Sequence, residues 1–228
     1  MIVSSFTLHD SVEDPTAELW FAEPPGFVAL PLDAVLPAPD SQAADTLRTA
    51  LAPFLDAACD EAIREQFIAQ VANGQQLLSV LREVGTVHCS IGLHRDDIDD
   101  TGNNDGQPLL SLFTLSWRDT AVAPRAVTAA RAVTSSEGRS RIEYVELPCG
   151  PATLGETVLT PSADSGLPQA PLLQIHAYVP HPDCKRLVLL TLSTTAVARR
   201  EQYRAVLEQI AETVSFDNPL ESTTSAAS

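Results

Sequence analysis

Three histidines and a run of aspartates are the residues in this 228-residue chain whose types and spacing could do chemistry. His88 and His94 lie six residues apart in the stretch Thr86–His94. That stretch alternates with period two, so Thr86, His88, Ser90, Gly92 and His94 share one strand face. Val87, Cys89, Ile91 and Leu93 share the other. His176 occupies the polar face of a second strand, beside Gln174 and Tyr178. If the two strands were neighbours, His88, His94 and His176 could converge as the ligands of a metal-dependent hydrolytic site. No H-E-x-x-H or comparable spacing fixes such a site, so the simpler reading is three half-exposed strand histidines.

The aspartates crowd one loop. Asp96, Asp97, Asp99, Asp100 and Asp105 stand among Gly102, Asn103, Asn104 and Gly106 in Arg95–Gln107. An EF-hand counted from Asp97 has Asp99 and Gly102 in place. It then fails, because Thr101 takes position five and Pro108 stands where the bidentate glutamate is required. The loop therefore reads as a solvated hairpin tip whose charge suits a basic partner surface. Asp96, Asp97, Asp99 and Asp100, with Trp117 at a strand end, are the residues expected to meet a protein partner. Trp20 is placed similarly, and both tryptophans also suit core packing.

No nucleophile is assembled. There is no G-x-S-x-G elbow, no phosphate-binding G-x-x-x-x-G-K-[ST] and no G-x-G-x-x-G. Cys89 neighbours His88 in sequence but points to the opposite strand face. The other cysteines, Cys59, Cys149 and Cys184, form no C-x-x-C and no zinc-ribbon spacing. The start of the chain lacks a basic region followed by an apolar run, which leads to the expectation of a reduced, cytoplasmic protein with buried cysteines. No catalytic residue, metal or cofactor is assigned, and a non-enzymatic protein is expected.

The elements that position these residues follow from periodicity. Leu187–Leu192 is apolar on both alternating faces, which is the pattern of a central strand covered on both sides. Its partner Leu172–Val179 alternates, with Pro180-His181-Pro182-Asp183 as the turn between them. Tyr203, Val206, Leu207, Ile210 and Val214 then keep helical spacing over Val197–Val214. Arg199, Arg200, Arg204 and Glu208 fall largely off that stripe. Earlier strands are expected at Phe6–Leu8, Phe27–Leu32, Thr86–His94, Leu109–Trp117, Arg141–Leu147 and Thr153–Thr160, with a short helix over Pro124–Val133. A helical insertion is expected over residues 41–84, broken near Pro53 and Asn73-Gly74. Residues 217–228 lack apolar periodicity and read as a disordered tail. The sum is one α+β domain over residues 1–216: an antiparallel sheet of six or seven strands packed with helices.

Composition narrows the partners. Thirty acids against 14 bases leave a net charge of −16, spread along the chain. Nucleic acid and anionic membranes both require a positive surface, so neither fits. No segment reaches the roughly 18 apolar residues that a membrane-inserted helix needs. Lys185 is the one lysine, and this arginine- and alanine-rich usage suggests a high-GC genome, as of a bacterium.

The run Arg186–Thr194, the following helix with Tyr203 and Ile210, and the ending Val214-Ser215-Phe216 resemble the Mog1/PsbP-like proteins. The opening Pro25-Gly26-Phe27-Val28-Ala29-Leu30-Pro31 is similar to that superfamily's aromatic first strand. The resemblance implies an antiparallel sheet between helices and no catalysis. It also implies work as an assembly factor, adaptor or chaperone for a larger protein, including secretion effectors. The leading expectation is thus a non-catalytic protein-binding module. A small-molecule or lipid carrier with an apolar pocket between sheet and helices is the alternative, and the three-histidine enzyme is the second.

Overall fold

The computed structural model describes residues 7–8, 11, 16–30, 32, 45, 49, 52, 85–95, 108–135, 140–160 and 170–218. Most of the expected helical insertion, the aspartate loop and the last ten residues lie outside this set. Of residues 41–84, only 45, 49 and 52 are described, each helical.

Apart from those isolated residues, the described chain forms nine strands and two helices. The strands are β1 (Thr7–Leu8), β2 (Ala22–Glu23), β3 (Phe27–Ala29), β4 (Thr86–Arg95), β5 (Pro108–Asp119), β6 (Ser140–Leu147), β7 (Gly150–Leu159), β8 (Leu172–Pro180) and β9 (Arg186–Thr194). The helices are α1 (Arg125–Thr134) and α2 (Arg200–Glu212), the latter entered through a single 3-10 turn, Val197–Arg199. Seven strands make one sheet in the order β3-β4-β5-β9-β8-β7-β6. Every pairing in it is antiparallel. An α+β architecture on an antiparallel sheet is therefore what the alternating patterns produce.

β9 holds the fourth of the seven positions, which explains its doubly apolar sequence. Val188, Leu190 and Leu192 pair across to Val179, Ala177 and Ile175 of β8. On the other side they meet Trp117, Leu115 and Phe113 of β5. These side chains form the main core with Tyr203, Leu207 and Ile210 of α2. Leu187 and Leu189 point to the opposite face, where Val133 of α1 and Tyr178 complete a smaller cluster. The two helices thus cover opposite faces of one sheet.

The N-terminal segment is fastened under α2. Trp20 and Ser215 exchange both backbone hydrogen bonds at 2.9 Å. The Ala22 amide donates to Thr213 Oγ1 at 2.9 Å. Leu19 and Phe21 are thereby held in the main core.

β4 departs from its sequence pattern at one residue. Thr86 pairs with Ser116 and His88 with Leu115, so Val87 is an extra residue in a bulge. Val87 is turned out to solvent. Thr86 consequently shares the face of Cys89 rather than that of His88, and its hydroxyl meets Ser116 Oγ at 2.9 Å. Strict alternation over Thr86–His94 is corrected at this point, because a bulge resets the side-chain period.

Candidate functional site

The antiparallel register places the three histidines apart. His88 lies in line with Leu115, Leu190 and Ala177, on the α2 face. His176 lies in line with Thr191, Thr114 and Cys89, on the α1 face. Three strand spacings, about 14 Å, also separate β4 from β8. His88 and His94 share a face, but six residues of strand put them about 20 Å apart. The expected convergence of His88, His94 and His176 does not occur, and no cluster of metal-ligating side chains exists among the described residues.

His88 and His176 are also buried rather than half-exposed. His88 Nε2 lies 3.1 Å from Glu23 Oε1. Ser90 donates its hydroxyl to the same carboxylate oxygen. The carboxylate therefore sits between hydroxyl and imidazole. In a nucleophile relay the imidazole must sit between the other two, so this trio is not wired to activate Ser90. Its effect is to anchor β2 onto β4 inside an aromatic surround of Phe21 and Phe113. His176 Nδ1 lies 3.0 Å from Thr191 Oγ1. His94 packs its ring against Phe27 and Tyr203, and burial lowers its pKa.

Trp117 lies half-buried at one end of the sheet. The Arg186 guanidinium stands 4.5 Å over its ring, and His181 and Phe216 flank it. Arg186 is itself held by Glu18 at 2.7 Å and Asp183 at 3.0 Å. One face of Trp117 is thus already occupied within the chain. Asp96, Asp97, Asp99 and Asp100 lie outside the described residues. Cys89 is buried and its thiol is pushed up to about 12, by burial first and by the Glu23 carboxylate second. Cys149 and Cys184 are half-exposed and free, so burial of all the cysteines does not hold.

The sheet's end strand presents a different kind of site. Among the described residues β6 has a neighbour, β7, on one side only. The opposite end, β3, is three residues long, whereas β6 is eight. An edge strand carries a row of backbone donors and acceptors that no ladder has used. β6 exposes Ile142 at 43% and Tyr144 at 62% beside that row. Proteins that keep an edge from pairing blunt it with charge or bulges. Here Arg141 has φ of 50° and the register breaks between Ser140 and Glu143. The break is confined to the first residues, and Glu143–Leu147 pairs regularly with Leu154–Gly150.

Two supports hold this edge in place. The hairpin to β7 turns through Pro148-Cys149 into Gly150, whose φ of +122° suits a residue without Cβ. Arg125 of α1 packs against Gly150 and donates from Nε to the Pro180 carbonyl at 2.9 Å. On the α2 face, Arg204 reaches under β6. Its Nη2 donates to Glu143 Oε2 at 2.7 Å and its Nε to Glu208 Oε1 at 3.0 Å. Arg204 is 3% exposed, so it belongs to the buried face of α2 and not to the solvated one. Beside it, Glu156 is fully buried on β7, with Oε1 3.4 Å from Arg200 Nη1. Arg141 pairs with Glu201 at the rim.

Periodicity marks β6 as a strand but not its position, because a strand's place in a sheet is set by long-range pairing. The signal present in the sequence was the mixture in Ser140-Arg141-Ile142-Glu143-Tyr144-Val145-Glu146-Leu147. Charges interrupt its apolar residues, as they do on edge strands. Comparison of the chain with family models, curated proteins and solved structures finds no match. No helix among the described residues is long and apolar enough to cross a membrane.

Proposed function

We propose that this chain is a non-catalytic protein-binding module, an adaptor, assembly factor or chaperone, that takes an extended segment of its partner onto β6. The observation that carries this reading is the eight-residue strand β6, paired on one side only among the described residues, with Ile142 and Tyr144 exposed on it. Strand addition draws affinity from main-chain hydrogen bonds and specificity from the flanking side chains. The order of strands and helices after Gly85, and the resemblance to Mog1/PsbP-like proteins, support the same reading. So does the acidic surface, which disfavours nucleic acid as the partner.

The test is affinity capture from the native host with the wild-type chain and with the Ile142→Lys/Tyr144→Lys variant. A stoichiometric protein retained by the first and lost by the second, with equal thermal stability, supports the module. Equal retention by both removes β6 as the contact.

One observation favours a carrier as a second reading. The α1 face carries a polar row that includes Gln174, His176, Thr191 and Ser193, with Gln174 Nε2 donating to Ser193 Oγ at 3.4 Å. Side chains of this kind would meet a polar ligand rather than a lipid, so this second reading departs from the apolar pocket expected of a carrier. Native mass spectrometry showing a retained small molecule would support it.

A further inference from the structure

We infer that the segment bound by β6 carries the order basic, apolar, apolar, basic over four consecutive extended residues. This inference rests on the strand-addition reading and names the chemistry of the occupant.

The regular part of the edge presents Glu143, Tyr144, Val145 and Glu146 in sequence. Alternation puts Glu143 and Val145 on the α2 face, and Tyr144 and Glu146 on the α1 face. Each face of the edge therefore offers one carboxylate and one apolar group. Residues directly opposite across a new ladder interact most, and opposite charges there are favourable. A residue facing Glu143 and one facing Glu146 should be basic, and the two between them should be apolar. The pattern is a palindrome, so it is the same for a strand entering in either direction. Tyr144, at 62% exposed, gives the apolar pair its largest contact surface.

The surrounding charges agree with a basic occupant. Arg204 is buried and committed to Glu143 and Glu208, and Arg141 is committed to Glu201. Glu143 still exposes more than half of its side chain. The chain as a whole carries −16, which opposes a second copy of itself along this edge. A self-paired β6 in the register that sets Glu143 opposite Glu146 would also bring the glutamates of two copies together.

Three blocked eight-residue peptides test the inference by fluorescence anisotropy against the whole chain. The first carries lysine, valine, phenylalanine, lysine at its centre. The second replaces both lysines with glutamate. The third repeats the first with alternate backbone amides methylated. The expected result is binding of the first, at least about threefold weaker binding of the second, and loss with the third. Binding of the first should also weaken with salt, and Glu146→Lys should narrow or invert the preference between the first two.

Equal binding of the basic and acidic peptides overturns the charge pattern while leaving strand addition standing. Equal binding of the methylated peptide overturns strand addition itself. A dimer in sedimentation that Tyr144→Lys dissociates overturns the basic occupant in favour of a second copy. No binding by any peptide, with a monomeric chain, overturns the inference.

Discussion

Arg204 Nη2 donates to Glu143 Oε2 at 2.7 Å, and this one bond joins the middle of α2 to the open edge of the sheet. The arginine is buried and the glutamate half-exposed. The helix thereby fixes the strand that the proposed partner must meet, so stability and recognition share a residue pair.

Breaking that pair should cost stability and should be coupled. Arg204→Ala removes a charge-assisted bond and the packing of a buried side chain, for an expected loss of about 2 kcal/mol. Glu143→Ala leaves the guanidinium short of one partner. Chemical denaturation of both single variants and the double variant should give a coupling of about 1 kcal/mol. Strictly additive losses would mean that the contact contributes nothing to folding.

The centre of the sheet should be intolerant of cavities. Leu190 is fully buried on β9 between Leu115 and Ala177. Leu190→Ala should lower unfolding stability by roughly 2–5 kcal/mol. A loss below 1 kcal/mol in urea titration would argue against the central position of β9.

The β8–β9 turn should lend acid-dependent stability. Burial opposes ionisation of Asp183, but the Lys185 amide, His181 and Arg186 outweigh it and hold its carboxyl at about 2, below the usual 3.8. A depressed carboxylate stabilises the fold above its unfolded pKa and loses that contribution as pH falls through the folded value. Thermal unfolding between pH 5 and about pH 2 should therefore fall more gently in Asp183→Asn than in the wild type. Parallel curves would remove this turn from the acid response.

Cysteine reactivity should follow burial. With its thiol pushed up to about 12, Cys89 has almost no thiolate at neutral pH. Iodoacetamide followed by peptide mapping should leave Cys89 unmodified in the native chain and label it after denaturation. Native labelling of Cys89 at the denatured rate would show that its face of β4 opens.

The fold was legible where a pattern is local. The doubly apolar Leu187–Leu192 announced a central strand, and β9 is central because nothing else keeps both of its faces dry. The stripe of Tyr203, Leu207 and Ile210 announced the packed face of α2. What escaped depends on contacts between distant residues. Val87 breaks the alternation of β4 through a bulge that only the register with Ser116 and Leu115 reveals. Arg204 looked solvated because an arginine off an apolar stripe usually is, yet it is buried, with Glu143 on its Nη2 and Glu208 on its Nε, while its Nη1 has no hydrogen-bond partner among the described residues. His88 and His176 fell on opposite faces because two more strands, β5 and β9, stand between theirs. The edge left only the charges that interrupt β6 as a local signal, since strand order is a property of the whole sheet.

Hydrogen exchange, read residue by residue with and without the basic peptide, tests the central claim most directly. Alternate β6 amides should exchange rapidly in the free chain and become protected on binding, while the β9 amides stay slow throughout. Protection that appears elsewhere and leaves β6 unchanged would contradict strand addition at this edge.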